Sequence, residues 1–183
     1  MKITILNGNP DIENRAFNDY LSGTKDTLSM MGHDIEQINL SEQNIKQCIG
    51  CWGCWVKTPG DCTIKDDMQQ NYPKIISSDL LILASPMKMG FVSALLKKSV
   101  ERLIPLLMPY MDIVVCEFHH LKRYEKYPLL GLIIEKEQST DEEDVNIITS
   151  IYKRMALNFH SELKFTHLID GSSKELINAI NNI

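Results

Sequence analysis

Four of the chain's five cysteines fall within the fifteen-residue stretch CIGCWGCWVKTPGDC, at Cys48, Cys51, Cys54 and Cys62. Their spacing is C-x2-C-x2-C-x7-C. Three thiolates at that pitch can wrap one corner of an iron–sulfur cubane. A zinc ribbon offers two separated C-x2-C pairs and suits the run less well. Gly50 and Gly53 let the backbone turn tightly around whatever is bound. The same residues also read as a metal-free loop of reduced thiols whose tryptophans pack on the domain. A third reading is a thiol sensor, with Lys46 or Lys57 lowering the pKa of one accessible cysteine. Residue types and spacing leave these readings open.

Two further segments carry chemistry. NGNPDIENRAF, residues 7–17, follows a short apolar run and leads into a helical pattern. Backbone N–H groups and a helix dipole in such a turn bind phosphate. Asn7, Gly8 and Asn9 suit that turn, whereas Asp11 and Glu13 repel an anion and Arg15 offsets part of the repulsion. The plainer reading is a turn and helix cap without a ligand. In SPMKMGFVSALLKKSVER, Pro86 and Gly90 shape a loop whose Met87, Met89 and Phe91 would lie against a flat aromatic ligand or simply fill core.

The elements that must position these segments alternate. KITILNG reads as a buried strand, residues 14–31 as a helix stopped by Gly32, and HDIEQINL as a second strand. After the cysteines come a short helix over 66–78 and the strand DLLILASP. Its continuous apolar run fits a strand covered on both faces. A helix is expected over 94–107, ended or kinked at Pro105. MDIVVCEF and PLLGLIIEK are β-rich, and HHLKRYEKYP lies between them. A helix over 141–159 opens on an acidic cluster that complements its dipole. ELKFTHLID and a helix over 172–182 close the chain. The alternation predicts one α/β domain over 1–183 with a parallel sheet between helices. Ligands in such folds bind beyond the carboxyl ends of the strands. That places NGNPDIENRAF, SPMKMGF and either EFHHLKRY or EKEQST at the site.

Composition is that of a globular domain, 44% hydrophobic and 23% charged. The net charge of −5 argues against nucleic acid as the main partner. No apolar run reaches the roughly 18 residues of a membrane span. MKITILNGNP lacks the features of a secretory leader, so a cytoplasmic location with reduced thiols is expected.

The pieces ILNGNP, CIGCWGCWVKTPGDCTIKDDM and DLLILASPMKMGFVSALLKKSVERLIP resemble the NADPH-dependent FMN reductase and iron–sulfur flavoprotein group. The resemblance covers about the first 105 residues closely and the remainder by order of elements. It implies a flavodoxin-like doubly wound sandwich with a five-stranded parallel sheet in the order 2-1-3-4-5 and an extra hairpin around 111–128. It implies FMN held by Asn7, Gly8, Asn9, Asn14, Arg15, Ala16 and Phe17 at the phosphate and by Pro86, Met87, Lys88, Met89, Gly90 and Phe91 at the ring. A 4Fe–4S cluster would sit on Cys48, Cys51, Cys54 and Cys62. NAD(P)H, a small-molecule or protein electron acceptor and a second copy of the chain are the implied partners.

Asn9-Pro10-Asp11 stands where the group usually carries Ser-Pro-Arg, Arg15-Ala16 stands in place of Asn-Thr or Ser-Thr, and Lys88 replaces an aromatic. His119, His120, Arg123 and Tyr124 are assigned to the pocket, a dimer contact or a surface hairpin. The expected function is an FMN-dependent oxidoreductase with no side chain needed as acid or base. The alternatives are a cofactor-free flavodoxin-like binding protein and a cysteine redox sensor.

Overall fold

The computed structural model describes residues 1–11 and 13–183. Ile12, which falls within the candidate phosphate loop, lies outside the described residues. Three parallel strands form the start of the sheet. Strand β1 (Lys2–Asn7) pairs with β2 (Asp34–Asn39) on one side and with β3 (Leu80–Lys88) on the other. Strands β7 (Leu129–Glu135) and β8 (Leu163–Leu168) continue it in parallel, giving the order β2-β1-β3-β7-β8. With the inserted strands set aside, this is the expected five-stranded 2-1-3-4-5 order.

Side chains alternate across the sheet because the strand period is two. Ile3, Ile5, Leu80, Ile82 and Ala84 face a core closed by α1 (Arg15–Met30) and α6 (Ser173–Asn181). Leu6, Leu81 and Leu83 face the other core, closed by α3 (Met68–Ile76), α4 (Ala94–Glu101) and α5 (Glu142–Asn158). β3 is buried along its first eight residues, as its unbroken apolar run requires.

Local chemistry sets the helix ends. The Asn14 side chain accepts from Phe17 N–H and starts α1. Gly32, at φ 88°, ends it: His33 N–H returns to Leu28 O and Gly32 N–H to Ser29 O. Asp141 and Asp144 form a capping box at the start of α5.

Three sequence expectations are corrected. The helix expected over 94–107 ends at Glu101, and Ile104–Leu106 is a separate 3-10 turn with Pro105 inside it. Pro105 lacks the N–H that a longer helix would need. β3 does not end at Pro86. It runs to Lys88 and folds back on β4 (Phe91–Val92) through a two-residue turn, with Met89 and Gly90 both at positive φ. The β-rich run MDIVVCEF spans the turn of the expected hairpin, which begins at Leu107 and ends at Lys122, where 111–128 was expected. Val115 and Cys116 take positive φ and divide β5 (Leu107–Val114) from β6 (Glu117–Lys122), which form the extra hairpin as a separate two-stranded sheet.

A buried ion pair fastens the cysteine segment to this frame. Arg102 and Asp66 meet in a two-pronged contact at 2.8 and 3.0 Å, each side chain 1% exposed. Arg102 also donates to Lys46 O at 2.6 Å and Ile64 O at 3.3 Å, so one guanidinium grips both ends of the loop. Burial pushes the Asp66 carboxyl up. The Arg102 hydrogen bonds and the N–H groups of Lys46 and Met68 outweigh it and hold the group below its ordinary value. Removing one partner leaves an uncompensated buried charge, which costs about 3–5 kcal/mol. Asp66→Asn is therefore expected to lose about that much stability at pH 7, read by urea unfolding. A depressed folded pKa contributes fully above the unfolded value of about 3.9 and is lost as the pH falls through the folded one. The gap between wild type and Asp66→Asn should accordingly narrow below about pH 4. A gap that stays constant down to pH 3 contradicts the assignment.

Candidate functional site

Two candidate centres lie at opposite ends of α4. At its N-terminus the ends of β1 and β3 are locked together. Gly8 N–H donates to Ala84 O at 2.8 Å, and Ser93 Oγ, the cap of α4, donates to Gly8 O at 2.5 Å. Ser93 N–H donates to Ser85 Oγ at 2.8 Å. A Cβ on Gly8 would meet Leu96 Cβ at 2.5 Å, so only glycine allows this approach. The two expected flavin loops are thus brought side by side at the strand carboxyl ends.

Most of the described backbone donors of the first loop are already used. Asn9 N–H goes to Asn7 Oδ1, Asp11 N–H to Asn9 Oδ1, and Glu13 N–H to Asp11 Oδ1. Asn14 N–H goes to Asp11 O, Arg15 N–H to Glu13 O and Phe17 N–H to Asn14 Oδ1. Asn9 is 3% exposed, and its Nδ2 lies within reach of Asp11 O, Asn14 O and Asn18 Oδ1. The Asn14 amide donates to Glu135 at 2.6 Å. In the second loop Pro86 and Met87 are buried, while Met89 is 96% exposed and Lys88 and Gly90 are at the surface. Met89 N–H donates to Glu137 at 3.1 Å, Lys88 Nζ stands 3.7 Å from the same carboxylate, and a Cβ on Gly90 would meet Asp144. Phosphate binding needs free N–H donors and positive charge. Among the described residues of the first loop most N–H groups are taken and Arg15 is the cation, so the phosphate of FMN would have to compete with acceptors already in place.

The second centre is the cysteine loop. Cys48, Cys51, Cys54 and Cys62 line one cavity of about 420 Å³ together with Trp52, Glu101 and Arg102. Cys54 and Cys62 are buried, Cys48 is half-buried and Cys51 is exposed. Among the described residues no three His, Cys, Asp or Glu side chains stand close enough to hold a metal ion. The expected metal set is therefore gathered around one space but not closed into a ligand shell. Arg102 Nε, buried in the wall of this cavity, has no acceptor.

The short helix α2 (Gly53–Val56) shapes the loop. A Cβ on Gly53 would meet Thr63 at 2.5 Å, and that contact sets Thr63 Oγ1 3.5 Å from Cys51 Sγ. The Thr63 hydroxyl, then the Gly53 N–H, hold the Cys51 thiol below its ordinary pKa, and Lys57 adds to the effect. Burial, reinforced by Cys62, pushes Cys54 up.

Trp55 carries the loop onto the hairpin. Its Nε1 donates to Leu107 O at 3.0 Å and its ring lies 4.8 Å from that of His120. His119 and His120 line a separate cavity of about 460 Å³ between the hairpin, α4 and α5. His119 Nε2 stands 3.4 Å from Glu117 without a hydrogen bond. Arg123 is structural, donating to Pro105 O and Leu107 O, and Tyr124 packs edge-on to Tyr127. None of these four residues reaches the flavin loops. Sequence reasoning missed Arg102, Asp66, Asn18, Glu135 and Glu137. Nothing in their spacing pairs them.

Cys51 is therefore expected to be the first thiol of the loop alkylated by iodoacetamide at pH 7.5, with Cys54 the last. Thr63→Val should slow Cys51 several-fold. Peptide mass spectrometry reads both, and equal rates at Cys51 and Cys54 would sink the assignment.

The NADPH-dependent FMN reductase family matches residues 1–113. An iron–sulfur flavoprotein of Archaeoglobus fulgidus is 31% identical over 102 residues, covering 56% of this chain and 48% of its own. One from Methanocaldococcus jannaschii is 33% identical over 106 residues, covering 58% of this chain and 53% of its own. The chain thus spans about half the length of the curated relatives it matches. Among solved structures, an NAD(P)H:quinone oxidoreductase from Methanothermobacter marburgensis superposes with a TM-score of 0.65 at 14% identity, covering 99% of this chain and 92% of that one. An FMN-dependent NADH-azoreductase from Bacillus anthracis, solved with FMN, gives 0.59 at 14% identity, covering 100% and 95%. These likenesses show the fold, and the family match shows the lineage: the chain belongs to the NADPH-dependent FMN reductase family.

Proposed function

We propose that the protein is an NAD(P)H-dependent flavin oxidoreductase that takes its flavin as an exchanging substrate. In this role, two electrons and a proton pass from the nicotinamide to the flavin, and the reduced flavin serves a small-molecule or protein acceptor. The observation that carries the reading is the junction of Gly8, Ala84, Ser85 and Ser93. It holds the two loops together where ligands enter doubly wound sheets. Family membership supports the redox class. The solved relatives, named as acting on azo compounds and quinones, suggest acceptors of that kind.

The chain's part is to hold the ring beside the buried Pro86–Met87 segment, since redox chemistry of this type belongs to the flavin. The occupied donors of the first loop favour weak, reversible binding over a resident cofactor. A 4Fe–4S cluster on Cys48, Cys51, Cys54 and Cys62 is the finer part of the proposal. It is supported by their shared cavity and by the relatives' names. Binding a cluster would require the loop to draw the four thiols closer together.

A cytoplasmic homo-oligomer completes the reading. It is supported by the exposed Tyr110, Ile113, Val115 and Phe118 on the hairpin. No helix among the described residues is long and apolar enough to cross a membrane.

Anaerobic mixing of the protein with NADPH and free flavin should bleach the flavin absorbance with turnover, while protein purified without added flavin carries well under one flavin per chain. Failure of both NADPH and NADH to reduce any added flavin would defeat the reading. Iron and acid-labile sulfide measured on the same sample, with none found after anaerobic purification, would remove the cluster.

A further inference from the structure

We propose that the first loop satisfies its own N–H groups with the side-chain oxygens of Asn7, Asn9, Asp11 and Asn14 in place of the flavin phosphate, so that the site accepts flavin lacking the phosphate at least as well as FMN. This rests on the flavin oxidoreductase reading and narrows its substrate class to neutral flavins.

A phosphate-binding turn points several backbone N–H groups at one spot. Among the described residues, seven N–H groups between Gly8 and Phe17 already have acceptors within the protein, and Ala16 N–H has none among them. Pro10 contributes none. The inside of the turn is lined instead by acceptors. The carbonyls of Asp11 and Asn14 and the side-chain oxygen of Asn18 all face Asn9 Nδ2, at 2.8, 3.4 and 3.3 Å. Asn9 is therefore a donor set among acceptors, and an incoming phosphate would meet carbonyl oxygens.

The plug is held by a network of amides. Asn7 Nδ2 donates to Asn18 Oδ1 at 3.1 Å and to Asn39 Oδ1 at 3.3 Å, and Gln37 Nε2 donates to Asn39 Oδ1 at 2.9 Å. Swinging Asn9 out would strip a buried amide of its partners, which is costly.

Charge acts in the same direction. Asp11 and Glu13 lie on the loop, Glu135 is tied to Asn14, and Glu137 is tied to the second loop. Against these four carboxylates stand the cations Arg15 and Lys88, and Lys88 already faces Glu137. A phosphate monoester carries about −1.5 to −2 charges at neutral pH. Riboflavin presents the same ring and ribityl chain without that charge and meets no such repulsion.

The test is a parallel fluorescence-quenching titration of the full chain with riboflavin and with FMN at pH 7.5. Riboflavin should bind as tightly as FMN or more tightly at about 20 mM salt. FMN binding should improve by about two-fold or more at about 0.5 M salt, where repulsion is screened, while riboflavin stays unchanged. FMN binding tighter than riboflavin at low salt overturns the inference and leaves the flavin reading intact. Absence of binding by both overturns the flavin reading itself.

Asp11 is exposed, so Asp11→Arg should fold as the wild type does, checked by thermal unfolding. It should tighten FMN three- to ten-fold and leave riboflavin unmoved. FMN left unmoved by Asp11→Arg would overturn the placement of this loop at the phosphate end.

Discussion

The Arg102–Asp66 pair is the constraint on which the rest of this half of the molecule depends. A buried charge pair is a weak source of net stability, because desolvation offsets most of the attraction. Its value here is positional. The guanidinium reaches Lys46 O, Ile64 O and both Asp66 oxygens, and Arg102 O accepts from Tyr72. One residue at the end of α4 therefore fixes α3 and both ends of the cysteine loop. The loop then fixes the hairpin through Trp55, and Arg123 returns from the hairpin to Pro105 and Leu107. The four thiols share a cavity because this chain of contacts closes.

The same helix joins the two centres. Ser93 caps its start and locks the β1 and β3 ends, while Arg102 caps its end and holds the cysteine loop. Nine residues at 1.5 Å each separate them by ~13 Å along the axis. Both redox candidates thus hang on one short rigid element, with the buried Leu96 and Ser99 between them. Loops held in this way can differ in chemistry without disturbing the sheet, which is the usual relation between scaffold and site.

The sheet was legible because β1, β3 and β7 are largely apolar runs, β2 and β8 interleave apolar with polar residues, and the helices carry capping signals at Asn14, Gly32 and Asp141. Two turns were not legible, for a shared reason. Val115–Cys116 and Met89–Gly90 take left-handed backbone conformations, yet only Gly90 is a residue that favours them. Valine at φ 50° has no sequence signature, so the turn inside MDIVVCEF could not be placed within the expected hairpin. The cysteine cavity was visible from spacing, but its anchor was not. Arg102 and Asp66 are 36 residues apart, and each looks like an ordinary surface charge. The loop between β1 and α1 was placed correctly in the chain. Its internal satisfaction could not be read, since asparagine serves equally as a turn former and as an acceptor for its own backbone.

That double use of asparagine explains how a family scaffold can keep its shape while changing what it holds. An anion-binding loop is least content when empty: its N–H groups point at one spot and gain most when a phosphate arrives. Substituting Asn9, Asp11 and Asn14 side-chain oxygens for that phosphate satisfies the same N–H groups from within. The loop is then stable unoccupied, and a phosphate must compete with contacts already made. On the proposed reading, what an arriving flavin would still gain lies at the ring, beside Pro86 and Met87, where apolar contact and shape would decide affinity. A site whose binding energy is concentrated there would release its ligand readily, as the proposed exchange of oxidised for reduced flavin requires.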